Sequence, residues 1–195
     1  MTNDRYTQVK DTILTRRSVS WKKMNGRLIA DDTVRELLEL AHWAPTHGRT
    51  EPWLFFVYTG EAMPQFAREH AELYRQNTPE DKFMQANYDK LLHNTDMASH
   101  LIVSVMKRGG NPKIDQIEEI AAASAAIQNI LLGAAAQDIA SFWSTGGMTH
   151  ARSLKDHLLL GAEDVVLGLI FLGYTDEPVK AGIRNSTVAE KVKWL

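Results

Sequence analysis

Three short segments carry the side chains in this sequence most able to do chemistry. Arg16, Arg17 and Ser18 set two guanidinium forks beside a hydroxyl, and the ligand that best matches planar bidentate donors is a phosphate monoester. Read alone, an Arg-Arg pair is a solvated basic turn. The loop Ala44-Pro45-Thr46-His47-Gly48-Arg49-Thr50-Glu51-Pro52-Trp53 offers His47 as a donor to a ring carbonyl or phosphate, with Trp43, His42 and Trp53 as flat surfaces for a planar ligand. Taken singly, a loop histidine is surface and an aromatic beside a core element is core. Trp143-Ser144-Thr145-Gly146-Gly147 combines a flat ring, two hydroxyls and permissive backbone, suited to the edge of a heterocycle and equally to a plain glycine turn.

These segments sit between elements that the apolar spacing predicts. A first helix over 4–15, with Tyr6, Val9 and Ile13 on one side, runs into the arginine pair. Val34, Leu37, Leu38, Ala41 and Ala44 share one face of a second, opened by a Thr33-x-x-Glu36 capping box and ended by Pro45. The aromatic run 53–58 reads as a buried strand, so the polar loop before it lies at a strand end, where rigid scaffolds hold ligands.

Further helices are expected over 62–76, with Pro64 in the first turn, and over 80–94. Strands are expected over 99–107, 141–144 and 165–172. An alanine-rich helix over 114–140 has few clearly polar faces and should be buried, in the core or at a subunit interface. A helix over 149–160 should stop at Gly161. Long helices between the strands exclude a simple meander, and the class is α+β with mixed strand directions. The tail 175–195 ends in Val192-Lys193-Trp194-Leu195, which should be docked, on its own subunit or as a strand added to a neighbour.

Composition bounds the rest. The 195 residues, 44% hydrophobic, suffice for one domain over 1–195 with a real core. A net charge of −2 with scattered basic residues gives no footprint for nucleic acid. The polar N-terminus lacks a signal-like apolar stretch, and no segment is expected to approach the roughly 18–20 apolar residues that span a bilayer. The absence of cysteine excludes disulfides, thiol catalysis and zinc–thiolate sites, and suits a cytoplasmic protein. Any redox chemistry must come from a cofactor. Dinucleotide and phosphate-loop glycine fingerprints, H-E-x-x-H and G-x-S-x-G are all missing, and His93 with His100 makes no metal motif.

The ordered set of Arg16-Arg17-Ser18-Val19, Ala44-Pro45-Thr46-His47, Glu51 to Val57, the alanine-rich helix into Phe142-Trp143-Ser144-Thr145-Gly146, and Leu169 to Tyr174 resembles the nitroreductase family of FMN flavoproteins. The resemblance spans most of the chain, without a motif in 61–112. It implies an intertwined homodimer with FMN at the subunit interface and a C-terminal strand exchanged between partners. It implies Arg16, Arg17, Ser18 and Arg184 at the flavin phosphate and ribityl chain, and Trp143, Ser144 and Thr145 along the ring. Trp43 and His47 would meet the flavin of the other subunit; Trp43 stands where many related sequences carry a basic residue. NADH or NADPH would reduce the flavin and give way to a small-molecule acceptor, nitroaromatic or quinone, in ping-pong fashion, with no side-chain acid or base required. Two other classes stand beside this one: a flavin-storage or flavin-processing protein on the same fold, and a cofactor-free helical interaction dimer.

Overall fold

The computed structural model describes residues 4–178 and 180–195. Its elements run α1 (Asp4–Thr15), α2 (Asp31–His42), β1 (Trp53–Thr59), α3 (Ala62–Asn77), α4 (Gln85–Leu92), β2 (His100–Met106), α5 (Gln116–Ala136), β3 (Ala140–Ser144), α6 (Arg152–His157) and β4 (Val165–Gly173). The four strands form one sheet in the order β1-β2-β4-β3, every ladder antiparallel. The α+β class holds, and the mixed directions reduce to one isolated parallel bridge, Ser18 to Ser141. Alternation along the strands divides the core into two layers. Ile102, Met106, Ile170 and Leu172 face α2 and α5, while Leu101, Val103, Val105 and Phe171 face Phe66 of α3 and Leu154 of α6.

The alternation breaks once. Ser104 pairs with Gly168 but Val105 with Val166, so β4 carries an extra residue there. Val165 and Leu167 therefore share a face with Ile170 and Leu172 rather than opposing them.

Several boundaries differ from the sequence reading. Helix α2 starts at Asp31 with Ala30 as a side-chain-free cap, so the Thr33–Glu36 box does not form. The expected helix over 80–94 splits into a 3-10 turn at Glu80–Lys82 and α4, because Phe83 and Met84 are extended and the Met84 N–H donates to the Tyr74 hydroxyl at 3.1 Å. Helix α6 is six residues long; the chain turns at Leu159, with φ of 55°, before Gly161 is reached. Strand β1 is half-buried, as an edge strand should be.

Helix α5 is correctly read as a core helix, yet it overturns the expectation about length. Its 21 residues are, by length and composition alone, long and apolar enough to cross a membrane. Its Ala123, Ala126, Ile127, Ile130 and Ala134 instead pack in the core under α2 and the sheet. Side chains of α2 close on α5 at Gly133, where a Cβ would stand 2.6 Å from Leu40 Cδ1. The helix start is tied down by Glu119, 1% exposed, which accepts from Arg108 Nη1 at 2.5 Å and from the Gly109 N–H.

The expected docking of the tail is not found within the protomer. Lys23 pairs with Glu177, and Asn25 Nδ2 donates to Asp176, but beyond Gly182 the apolar side chains Ile183, Val188, Trp194 and Leu195 stand in solvent.

Candidate functional site

A cavity of about 680 Å³ opens on the sheet face that carries Phe142, Leu169 and Phe171. Segment 20–22 forms one wall: the Val19 N–H donates to Ser141 O at 2.9 Å, which lays the chain along β3 and brings Ser20, Trp21 and Lys22 to the cavity. The turn after β3 forms a second wall through Ser144, Gly146, Gly147 and Met148. Gly147 has φ of 65°, and a Cβ there would stand 2.7 Å from Leu91 Cδ2, so this position needs glycine on both counts. Helix α4 and its exit form the third wall with Asn87, Lys90 and Asn94. Among the described residues no carboxylate lines the cavity, while the side chains of Lys22 and Lys90 do. Asn94 is buried, and its amide oxygen has no partner among the described residues.

The expected site residues divide by place. Ser144 lines the cavity, and Thr145 is an exposed residue between lining neighbours. Arg16, Arg17 and Ser18 lie just before the first wall. Arg17 is partly spent within the chain: Nη1 donates to Leu14 O and Arg16 O, and Nε to Lys180 O of the tail at 3.0 Å. Arg184 is exposed in that tail, donating to its own neighbour Ile183 O.

Trp143 points away from this cavity. The two-residue period of β3 turns its ring to the opposite face from Phe142 and Ser144, where its indole N–H donates to Leu167 O. It packs in the core and does not share the cavity.

Trp43 and His47 are also absent from the cavity of their own protomer. Trp43, 80% exposed, closes α2 and donates to Glu39 Oε1 at 3.2 Å. His47 Nδ1 donates to Glu118 Oε2 at 2.7 Å, and that bond leads the causes holding the Glu118 carboxyl below its usual range. The loop around His47 is strained, with positive φ at Gly48, Arg49 and Glu51. The Thr46 hydroxyl braces it by meeting Thr50 Oγ1 at 2.9 Å and accepting from the Glu51 N–H.

Asn87 and Lys90 escaped the sequence reading. They lie three residues apart on α4, a spacing that puts both on one helix face, but a polar pair so spaced looks like any solvated face until the cavity is seen beneath it. A further polar set is structural. Ser99 Oγ accepts from the Ile29 N–H and meets His100 Nδ1 at 2.9 Å, and His100 Nε2 meets Asp31 Oδ1 at 3.0 Å. The order of groups evokes a nucleophile relay, but Ser99 is 1% exposed and already bonded, so no substrate reaches it.

The fold and this arrangement meet in one family. The nitroreductase family model matches residues 13–174, and the chain belongs to that family. The Escherichia coli K12 protein named "Putative NAD(P)H nitroreductase YdjA" is 24% identical over 163 residues, covering 84% of this chain and 86% of its own. The solved nitroreductase-like family protein from Bacillus cereus superposes with a TM-score of 0.83 at 25% identity, over 100% of this chain and 98% of that one. The FMN-dependent nitroreductase NfnB from Mycobacterium smegmatis, solved with NADPH, gives a TM-score of 0.76 at 18% identity, over 98% and 100% of the two chains.

Proposed function

We propose that this protein is an FMN-dependent oxidoreductase that passes reducing equivalents from NADH or NADPH to a small nitroaromatic, quinone or similar acceptor. It works as a cytoplasmic homodimer of a single 1–195 domain. One observation carries the reading: a cavity within the 300–1,000 Å³ typical of small-ligand sites combines flat apolar surface, amide and hydroxyl donors and two cations, with no carboxylate.

The residues fit such a cofactor. Arg16, Ser18 and Arg17, through the nitrogen its carbonyl partners leave free, hold the phosphate near the first wall. Ser144 and the backbone of Thr145 to Gly147 meet the edge of the ring, and the Gly147 N–H has no acceptor within the described residues. Asn87 and Lys90 supply a donor and a positive charge to the same cavity, where negative charge on a reduced ring is stabilised. Bound FMN supplies reversible hydride uptake and release. The chain's own part is to bind, orient and tune, and one open face serves donor and acceptor in turn.

The protomer leaves surfaces that a second copy accounts for. Tyr6, Val9, Ile13 and Leu14 of α1 are exposed, and β1 pairs with no strand but β2 among the described residues. A partner's tail added along β1 would cover an open edge and bury its own Trp194 and Leu195. In that assembly Trp43 and His47 approach the flavin across the interface, and Arg184 assists at its phosphate.

The test is the visible spectrum of the purified protein, followed by NADH or NADPH without oxygen. Flavin bands that bleach are the expected result; a protein that stays colourless after reconstitution with FMN would overturn the proposal.

A further inference from the structure

We infer that His70 is a positioning residue for the cavity wall formed by the turn after β3: its ring accepts the Met148 N–H and holds the Gly147 turn in place. Its bearing on cofactor affinity rests on the proposed flavin site; its bearing on the turn does not.

His70 lies in the middle of α3 and is 1% exposed, with its ring 5.5 Å from that of Phe66. Its Nε2 is 2.8 Å from the Met148 backbone nitrogen. A backbone N–H only donates, so Nε2 presents its lone pair and the ring proton sits on Nδ1. Nδ1 has no partner among the described residues. A side chain present only to fill space would be apolar there, because an unpaired buried donor is unfavourable. The acceptor at Nε2 is what histidine provides and phenylalanine or leucine does not.

The turn is fastened on all sides by this contact and its own bonds. The Thr149 hydroxyl donates to Gly146 O at 2.6 Å, and the Gly146 N–H donates to Ser144 Oγ at 3.3 Å. A Cβ on Gly147 would stand 2.9 Å from His70 Cε1 and Nε2, so the ring and the turn are in direct contact. With the Gly146 and Met148 amides both committed, the intervening Gly147 N–H keeps a fixed position at the cavity. Nothing outside α3 fastens the Met148 amide.

His70→Phe removes the acceptor and keeps a ring; His70→Gln restores a neutral acceptor at similar reach. Amide hydrogen exchange at Met148, measured without flavin, should quicken at least tenfold in H70F and stay near wild type in H70Q. The FMN dissociation constant, from flavin fluorescence, should rise at least tenfold in H70F and recover in H70Q. In the wild type, ¹⁵N shifts should place the His70 proton on Nδ1. Should H70F fail to fold, His70→Asn, whose amide falls short of Met148, takes its place. Unchanged Met148 exchange in the variant that lacks the acceptor, or a proton on Nε2, overturns the inference. Quickened exchange in a protein that takes up no FMN would reject the flavin site and leave the positioning role standing.

Discussion

The indole N–H of Trp143 donates to the Leu167 carbonyl at 3.0 Å, at the place where the β2–β4 ladder slips register. A bulge takes a residue out of the ladder, and a buried carbonyl there needs another donor. Neighbouring Gly168 leaves the room: a Cβ on it would stand 2.0 Å from Trp143 Nε1.

Trp143→Phe keeps a ring but removes that donor. The expected cost is roughly 1–3 kcal/mol of unfolding free energy, with flavin affinity within twofold of wild type. Urea unfolding beside a flavin titration checks both; a large loss of flavin with intact stability would return Trp143 to the binding site.

Arg17 joins the proposed phosphate site to the tail through Lys180 O. Arg17→Ala should weaken FMN binding roughly ten- to a hundredfold, the range of one or two charge-assisted hydrogen bonds, without unfolding the protein. Unchanged flavin content after purification would leave Arg17 as a tail clamp alone.

Ending the chain before Pro178 removes the exposed Ile183, Val188, Trp194 and Leu195. Sedimentation should then show monomer or aggregate in place of dimer. A stable flavinated dimer from the shortened chain would refute the exchange.

Burial, then the nearby His157, pushes the His70 pKa from 6.5 down to about 4. His157 in turn pairs with Glu69 at 3.2 Å. Between those values the unfolded chain takes up a proton that the folded one refuses, so stability falls as pH is lowered from about 6.5 to about 4 and levels off below. His70 contributes roughly 3 kcal/mol to that fall, and His70→Gln should remove its share. Thermal unfolding across the window reads the difference, and identical slopes in the two proteins would reject it.

The parts of the site legible in the sequence are those where local chemistry is dense. Arg16-Arg17-Ser18 and the glycine turn after Ser144 stand at the ends of strongly patterned elements; the glycine turn lines the cavity, while the arginine pair and Ser18 precede the lining residues Ser20 to Lys22. The strand faces were harder, because Trp143 is adjacent in sequence to Ser144 yet belongs to the other layer; the residue type suggests a ligand, and the period of two turns the ring away from the cavity. Asn87, Lys90 and His70 were not legible at all. Each lies on a helix in the 61–112 stretch, and each acquires its place only through long-range contact: His70 reaches the Met148 N–H in the turn after β3, and Asn87 and Lys90 share the cavity with that turn. The break at Phe83 was hidden too, since the Tyr74 hydroxyl that takes the Met84 N–H lies ten residues away.

The open margin of β1 and the apolar tail belong to the same polypeptide, so in the proposed exchange every copy would be at once a socket and a plug. Two copies that trade tails reciprocally close on themselves and leave nothing exposed. A copy that gives its tail to one neighbour and receives from another starts a chain with no natural end. How far the tail reaches from the end of β4 would therefore separate a finished particle from a growing filament.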